Sequence, residues 1–391
     1  MIRDPMIAVL NAGSSSIKFT VFSGSIELVR GQVSGLGASP RISLRDRTGQ
    51  NYDANDLSAE DGRDHQSALA AILRRLDGII DCSAIAAVGH RIVHGGPERR
   101  SAELLDESSL ADLKRLVPLA PLHQPHNLAG VEAAQLAFPH AIQVACFDTS
   151  FHRGHPWVND TFALPRQYYD EGVRRYGFHG LSYEYICAYL DEERPDLADG
   201  KIVVAHLGNG ASMCAIKHGK SIGSTMGFTA LDGLPMGTRC GQIDPGVLLY
   251  LMTTKQMGPQ DISDLLYKES GLKGLSGLSQ DMRELERSSS EDARRAIDYF
   301  VFRIRRELGA MAAVLGGLDT LVFTGGIGEN SERVRREVCL DMDWLGISID
   351  RSANETNALC LSSRPSKVNV LAIPTNEEEM IRRKTLEILN G

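Results

Sequence analysis

The feature that most constrains the fold of this chain is a strand–turn–strand pattern that occurs near the start of each half. In the first half, an apolar run at 6–10 leads into the small polar turn Asn11-Ala12-Gly13-Ser14-Ser15-Ser16 and a second β-rich run at 17–22. In the second half, an apolar run, a small-residue turn and another apolar run cover 202–216. Each pattern is typical of a β-hairpin. Because the two halves share an order of elements rather than identical residues, they predict two related domains built on one plan.

The first of these turns also carries groups suited to a phosphate. Gly13 allows close approach of the backbone to a ligand, Lys18 adds a positive charge, and Asn11 supplies a neutral oxygen of the kind Mg²⁺ accepts. An ordinary serine-rich hairpin turn is the alternative interpretation of this stretch taken alone.

Length and charge exclude several classes of protein. A chain of 391 residues fits two domains, and its net charge of −8, with no cluster of basic residues, makes a nucleic-acid partner unlikely. No apolar run approaches the roughly 18 residues of a membrane helix. Seven cysteines without a C-x-x-C pair indicate reduced thiols in a cytoplasmic protein and argue against a cysteine-held metal.

Helix and strand patterns alternate along the chain, which predicts the α/β class. The predicted helices cover 65–76, 108–117, 128–138, 291–315 and 377–389, and the predicted strands include 85–88, 142–147, 321–323 and 368–373. We expect a rigid, proline-containing loop at 120–127. Ser288 and Glu291 predict a capping box at the start of the longest helix.

Three glycine-rich turns, at 11–16, 208–212 and 325–330, each follow a predicted strand. One such turn is commonly just a tight turn, but three favour a nucleotide whose phosphates are bound by backbone N–H groups. The chain has no G-x-x-x-x-G-K-[ST] motif, and Ser331 stands where the dinucleotide fingerprint has its third glycine. A P-loop protein and a nicotinamide enzyme are therefore disfavoured.

Several charged or polar residues lie at predicted turns rather than on helix faces: Arg91, His123, Asp148, His179, Arg239 and Glu377. Each one alone is more simply a solvated charge or a loop anchor. Together they are the groups that phosphoryl transfer needs, namely arginines for developing charge, oxygens for magnesium and a histidine donor. A zinc site is disfavoured because no H-x-x-x-H spacing with a nearby acid is present.

Six ordered motifs across nearly the whole chain resemble the signature set of the acetate kinase family. They are Asn11–Lys18, His90–Gly96, Cys146–Thr149, Tyr176–Gly180, His206–Gly210 and Phe323–Asn330, and Ile373–Glu378 adds to them. The resemblance implies the acetate and sugar kinase, Hsp70 and actin fold, with two duplicated actin-like (ribonuclease H-like) domains, an active site in the interdomain cleft, and a homodimer. The expected domains are 1–150, completed by the C-terminal helix 378–391, and 151–377.

The resemblance further implies reversible transfer of the ATP γ-phosphoryl group to acetate, giving acetyl phosphate and ADP. By motif, Asn11 and Glu377 would bind Mg²⁺ (or Mn²⁺ in its place), and Arg91 would bind the substrate carboxylate. His179 and Arg239 would stabilise the transition state. The nucleotide would be held by Lys18, His206, Leu207, Gly208, Asn209, Gly210, Asp281, Met282, Arg283, Gly326, Ile327, Gly328, Glu329 and Asn330.

The resemblance implies that Asp148 is a proton donor or acceptor. A carboxylate nucleophile is already ionised near pH 7, so we interpret Asp148 instead as a residue that orients an arginine or a magnesium-bound water. We expect direct in-line attack by the acid, without a phosphoenzyme.

The expected acyl pocket is lined by Val93, Leu122 and Phe178, with Ala230 where some members have proline. The smaller residue leaves room for propionate, and one methylene changes binding by only about 1–3 kcal/mol. A propionate or butyrate kinase is the alternative enzyme. An actin-like, nucleotide-dependent assembly protein is the non-enzymatic alternative, although it would not need Arg91 or Arg239.

Overall fold

The computed structural model describes residues 5–13, 16–121 and 123–391. The chain divides into two compact units. The N-unit comprises residues 1–153 and 376–391, and the C-unit comprises residues 154–375.

The strands form two mixed sheets. They are β1 (Met6–Ala12), β2 (Ser16–Ser23), β3 (Ile26–Ser34), β4 (Arg41–Asp46), β5 (Asn51–Asp56), β6 (Ile85–Ile92), β7 (Glu103–Leu104), β8 (Ile142–Phe147), β9 (Lys201–Leu207), β10 (Ala211–Lys217), β11 (Lys220–Ser224), β12 (Thr320–Thr324) and β13 (Asn369–Ala372).

The α-helices include the long C-unit helix α12 and the C-terminal helix α16. In chain order, the α-helices are α1 (His65–Leu76), α2 (Glu107–Arg115), α3 (Gln124–Ala137), α4 (Trp157–Asp160), α5 (Arg166–Asp170), α6 (Gly180–Glu193), α7 (Pro195–Ala198), α8 (Pro245–Thr253), α9 (Pro259–Asp264), α10 (Gly271–Ser276), α11 (Met282–Arg287), α12 (Glu291–Leu315), α13 (Gly325–Asn330), α14 (Glu332–Cys339), α15 (Arg351–Glu355) and α16 (Glu377–Asn390). None of the helices in the described ranges is long and apolar enough to cross a membrane.

The N-unit sheet has the order β5-β4-β3-β2-β1-β6-β8-β7. Strands β1 to β5 pair antiparallel in sequence order, whereas β1, β6 and β8 run parallel. Buried side chains such as Phe19 and Val29 pack with Leu69 and Ile72 of α1. The parallel arrangement matters for function, because the carboxyl ends of β1, β6 and β8 meet at one edge of the sheet.

The C-unit sheet has the order β11-β10-β9-β12-β13. Strands β9 and β10 form the second hairpin, and β12 lies parallel to β9 and β13. The helix α12 packs on this sheet. Its residues at steps of three and four, including Ile297, Phe300, Ile304 and Leu308, are fully buried, as their spacing predicts.

Three local predictions need correction. The loop expected at 120–127 gives way to α3 at Gln124, because Pro125 lies in the first helical turn, where its missing N–H is not needed. The cap of α12 is Ser290, and Ser288 accepts a hydrogen bond from the Ser290 N–H instead. The third glycine-rich turn is itself a short helix, α13, and it begins at Gly325 with φ of +77°.

Candidate active site

The edge of the N-unit sheet holds an ion pair between the partly buried Arg91 and the buried Asp148. Arg91 lies near the end of β6, opposite Cys146 of β8, and Asp148 directly follows β8, so both side chains reach the same edge. The Arg91 Nε–H donates to Asp148 Oδ1 at 3.0 Å and Nη2 donates to Oδ2 at 2.7 Å. Glu377 Oε2 lies 3.5 Å from Arg91 Nη1. Although burial opposes the charge, the carboxylates of Asp148 and Glu377 raise the pKa of Arg91 above its usual value.

This geometry fixes which edge of the guanidinium is used inside the protein. Asp148 is 2% exposed and occupies the Nε–Nη2 edge of Arg91. The guanidinium has a second edge, formed by Nη1 and Nη2, which can bind another carboxylate in a two-point contact. A partly buried arginine held in this way is suited to recognising a small carboxylate.

Asn11 and Glu377 supply oxygens of the kind that magnesium prefers. Asn11 is the penultimate residue of β1 and is opposite Lys18 of β2, and Glu377 begins α16, which packs against β1, β6 and β8. Within the described residues, no group of three or more His, Cys, Asp or Glu side chains could hold a metal. One amide and one carboxylate fit Mg²⁺, which commonly binds one or two carboxylates and completes its shell with water and substrate phosphates.

Other predicted N-unit residues have varied surroundings. Val93 follows β6 and is 8% exposed. Lys18 is exposed and lines a 350 Å³ groove together with Arg30, Arg45 and Glu378. Leu122, like Ser14 and Ser15, lies outside the described residues.

The C-unit places His179 and Arg239 around one small space. A Cβ built on Gly210 would lie 3.2 Å from His179 Nε2 and 4.0 Å from Arg239 Nη1. Arg239 Nη1 also donates to the Ala230 carbonyl at 3.1 Å. A guanidinium N–H and an imidazole nitrogen that converge on a space left by glycine can bind an anionic group, the imidazole as a donor when its Nε2 carries the proton.

His179 is held in an uncommon backbone conformation, with φ of +59°. Its Nδ1 lies 2.8 Å from Ser212 Oγ, and its ring stacks on that of His206 at 4.3 Å between centroids. His206 Nδ1 is in turn 2.9 Å from Ser182 Oγ. Both imidazoles are therefore oriented through Nδ1. The ring of Phe178, the residue before His179, is 2% exposed.

A cavity of about 560 Å³ in the C-unit brings together most of the residues predicted to bind nucleotide. Its lining includes Gly208, Asn209, Asp281, Met282, Arg283, Gly326, Ile327 and Asn330. Asp281 caps α11 and pairs with Arg283, and the hydrogen bond from Arg283 lowers the pKa of the Asp281 carboxyl. Gly326 leaves open space where a Cβ would be.

The same lining contains Gln280, Glu286 and Ser331, which are not among the residues predicted from the sequence to bind nucleotide. Ser331 Oγ donates to Glu286 Oε1 at 2.5 Å. In the sequence, Ser331 is informative only as the residue in place of the third glycine of a dinucleotide fingerprint, and Glu286 has no distinguishing pattern around it. Only the fold brings them to one wall.

Glu329, in contrast, braces the backbone. Its Oε1 accepts from the Gly325 N–H at 2.9 Å and from the Thr375 N–H at 3.1 Å. Gly328 is buried within α13, and Leu207, buried at the end of β9, packs against Gly325. The two bonds of Glu329 hold the start of α13, the helix that supplies Gly326, Ile327 and Asn330 to the cavity lining.

Comparison with known proteins decides the family. The family model of the acetokinase family matches residues 6–383. The chain belongs to the acetokinase family. It is 55% identical to the acetate kinase of Methylocella silvestris, over 98% of each chain, and 50% identical to that of Nitrobacter hamburgensis, over 98% of this chain and 96% of the relative.

Solved structures agree with this acetokinase assignment. The acetate kinase of Porphyromonas gingivalis superposes with a TM-score of 0.90 at 40% identity, covering 98% of this chain and 100% of the other. A propionate kinase from Francisella tularensis has a TM-score of 0.92 at 34% identity, covering 98% and 99%. The predicted family and the two-sheet α/β fold class are therefore confirmed. As an acetokinase family member, the chain is an ATP-dependent kinase with a carboxyl acceptor, as predicted.

Proposed function

We propose that this chain transfers the γ-phosphoryl group of ATP to acetate, reversibly and with Mg²⁺, giving acetyl phosphate and ADP. The observation that carries the proposal is Arg91, a partly buried arginine at a sheet edge whose Nε–Nη2 edge is paired with the buried Asp148. The other edge suits a small carboxylate. An actin-like assembly protein, the alternative, would not need an arginine oriented to bind a carboxylate.

In the proposed reaction, a carboxylate oxygen of acetate attacks the γ-phosphorus in line with the leaving group. The new O–P bond forms as the bond from the γ-phosphorus to the β–γ bridging oxygen breaks, and ADP leaves with that electron pair. Arg91 holds and orients the acid. Acetate is already ionised near pH 7, so no proton has to be removed, and Asp148 acts by orienting Arg91.

Charge that develops on the equatorial phosphoryl oxygens needs donors placed in advance. Arg239 and His179 are proposed to supply them, since both lie around the space beside Gly210. Bound Mg²⁺, held by Asn11 and Glu377, would offset negative charge on the phosphate oxygens. The 560 Å³ cavity is proposed to hold the adenosine part of ATP, with Lys18 as a further phosphate contact.

Acetate is proposed over propionate as the preferred acid, because the relatives with the higher identities are named acetate kinases. The propionate kinase neighbour and the small side chain of Ala230 keep propionate as the second candidate. Relative kcat/KM values on the two acids decide between them.

We also propose that the N-unit and C-unit correspond to the two actin-like domains. The protein is proposed to be cytoplasmic, where ATP is available, and to form a homodimer.

Support for the dimer comes from α8, which is apolar over most of its length yet has no buried residue in the single chain. Leu249 is 63% exposed there. Helices that are apolar on all sides are normally buried, so light scattering should show a dimer that Leu249→Asp weakens.

The first test is formation of acyl phosphate from ATP and formate, acetate, propionate or butyrate, trapped with hydroxylamine. Wild type, Arg91→Ala and the control Arg99→Ala are compared, because Arg99 lies close in sequence but pairs with Glu103. Acetyl hydroxamate from wild type and Arg99→Ala only is the expected result. A maximum with propionate or butyrate would change the substrate and keep the reaction. No product with any acid, despite ATP binding, would refute the proposed function.

A further inference from the structure

The ends of β1 and β6 are joined by a side chain rather than by the strand ladder. The two strands pair in parallel up to Leu10 and His90. Beyond that pair, β1 continues through Asn11 to Ala12, and β6 continues through Arg91 to Ile92, with Val93 directly after it. The proposed metal ligand Asn11 and the proposed carboxylate ligand Arg91 therefore lie just beyond the last strand-to-strand pair.

The amide of Asn127 fills the gap left beyond the ladder. Asn127 Nδ2 donates to the Ala12 carbonyl at 2.7 Å, and the Val93 N–H donates to Asn127 Oδ1 at 2.9 Å. The side chain is 4% exposed. A side-chain amide has one donor group and one acceptor group, as a peptide group does. The Asn127 amide therefore bridges the two chain segments where backbone hydrogen bonds between β1 and β6 have ended.

Two further contacts hold α3 in this place. Gln124, one turn earlier, accepts from the His94 N–H at 3.2 Å and donates through Nε2 to the His94 carbonyl at 3.0 Å. Gly130 packs so closely that a Cβ on it would lie 2.6 Å from the Ala12 Cβ. The helix is thereby fixed to both strand ends by buried amides and by direct backbone packing.

The turn after β1 has an additional anchor. His65, the first residue of α1, places its Nε2 2.8 Å from the Gly13 carbonyl, so this nitrogen carries the proton in the bond. The carbonyls of the consecutive residues Ala12 and Gly13 are thus each held from outside the hairpin. Of the two anchors, Asn127 is the one that also bonds to Val93, directly after the strand that carries Arg91.

We propose that Asn127 is a positioning residue, which sets the spacing between the metal-binding end of β1 and the carboxylate-binding end of β6. It touches neither substrate nor metal and acts through the Ala12 carbonyl and the Val93 N–H. The inference rests on the proposed function, because it takes Asn11 and Arg91 as ligands of the metal and the acid.

The sharpest variant is Asn127→Asp, which has nearly the same shape. It keeps an acceptor for the Val93 N–H but turns a carboxylate oxygen towards the Ala12 carbonyl, so the β1 end should move away. Partners that orient a metal ligand typically change metal affinity or activity by about 10–100-fold when lost. We expect the half-saturating Mg²⁺ concentration to rise by about that factor, with kcat lowered and the KM for ATP at saturating Mg²⁺ little changed.

Gly130→Ala tests the same geometry by a different route. Alanine favours an isolated helix by about 1 kcal/mol over glycine, yet its Cβ would push α3 away from Ala12. The amide bonds are left chemically intact. A rise in the Mg²⁺ requirement here would therefore report displacement of the strand end.

Gln143→Ala is the matched control. Gln143 is also a buried amide of the N-unit, 6% exposed, but it bonds to His90 at 2.8 Å from the early part of β8. Its loss should lower the unfolding temperature without changing the Mg²⁺ requirement. Binding of Mn²⁺ in the presence of ADP, followed by the EPR signal of free Mn²⁺, gives a readout that does not depend on turnover.

The outcomes separate the two levels of inference. Weaker Mn²⁺ binding and a raised Mg²⁺ requirement in Asn127→Asp and Gly130→Ala, but not in Gln143→Ala, support the positioning role. Unchanged metal affinity in both folded variants, with an active wild type, would overturn it. A wild type that forms no acyl phosphate would instead refute the proposed function.

Discussion

Replacing Asp148 by asparagine tests the pair on which the proposed mechanism depends. The substitution keeps the size of the side chain and removes its charge. Asp148 is 2% exposed and makes contacts of 3.0, 3.2 and 2.7 Å with the Arg91 guanidinium. Asparagine can accept with only one oxygen, and its NH₂ group would face an arginine N–H.

The magnitude follows from these contacts. A hydrogen bond to a charged group contributes about 1.5–3 kcal/mol, and breaking a buried pair costs about 3–5 kcal/mol of stability. Glu377, 3.5 Å from Arg91 Nη1, remains as a partial counter-charge, so we expect the lower part of that range for stability. Loss of one oriented, charged hydrogen bond corresponds to about 10–100-fold in kcat/KM for acetate.

The assay is hydroxamate formation at saturating ATP and Mg²⁺, over a range of acetate concentrations. If Asp148 orients Arg91, Asp148→Asn should raise the KM for acetate and recover part of its rate at high acetate. A general base would instead lose about 10²–10⁴-fold in kcat at every acetate concentration. Asp160→Asn, at another buried carboxylate that accepts from Tyr169 Oη, is the control. Turnover and KM within twofold of wild type for Asp148→Asn would refute both roles.

Three further predictions concern the nucleotide cavity and stability. Gly326→Leu should fill open space in the cavity and raise the KM for ATP roughly tenfold or more, which corresponds to a loss of about 1.4 kcal/mol of binding free energy. Gly154→Leu, at a glycine that also faces open space but lies outside the cavity lining, should leave the KM for ATP unchanged. Burial lowers the pKa of His90 from 6.5 to about 4, so the unfolded chain takes up a proton first as the pH falls. The contribution of neutral His90 to the free energy of unfolding should be complete above pH 6.5 and be lost between pH 6.5 and 4, by at most about 1.4 kcal/mol per pH unit. Denaturant titrations of wild type and His90→Gln over this pH range measure that loss. Gln242→Glu should raise the free energy of unfolding by about 1 kcal/mol, because the Gln242 oxygen accepts at 3.0 Å from Arg303, whose buried Nε has no partner among the described residues. Calorimetry should show a higher unfolding temperature, and an unchanged or lower one would contradict this.

Strong local patterns made much of the fold predictable. The helices at 65–76 and 291–315 have the predicted bounds, because their apolar spacing and terminal residues act within a few turns. The errors lie at helix starts. Pro125 is compatible with both a loop and a first helical turn. Near Glu291, both Ser288 and Ser290 are residues of the type that caps a helix N-terminus, so the sequence does not decide between them.

The candidate site was predictable where a residue type is rarely used for anything else. An arginine and an aspartate at the ends of two adjacent parallel strands suggest a pair, and the structure joins Arg91 to Asp148. Asn127 gave no such signal, because a helical asparagine becomes informative only when its two strand partners are known. The same holds for Glu286, which reaches the cavity through the packing of α11.

The left-handed backbone of His179 has a consequence for evolution. Non-glycine residues adopt this conformation at a cost of order 1–3 kcal/mol, which glycine largely avoids. Folding and function therefore make opposite demands at this position. In a library of variants selected only for abundance, His179→Gly should be enriched, whereas selection for growth that depends on acyl phosphate should eliminate it. A position where the two selections disagree marks a side chain that is retained for its chemistry at the expense of the fold.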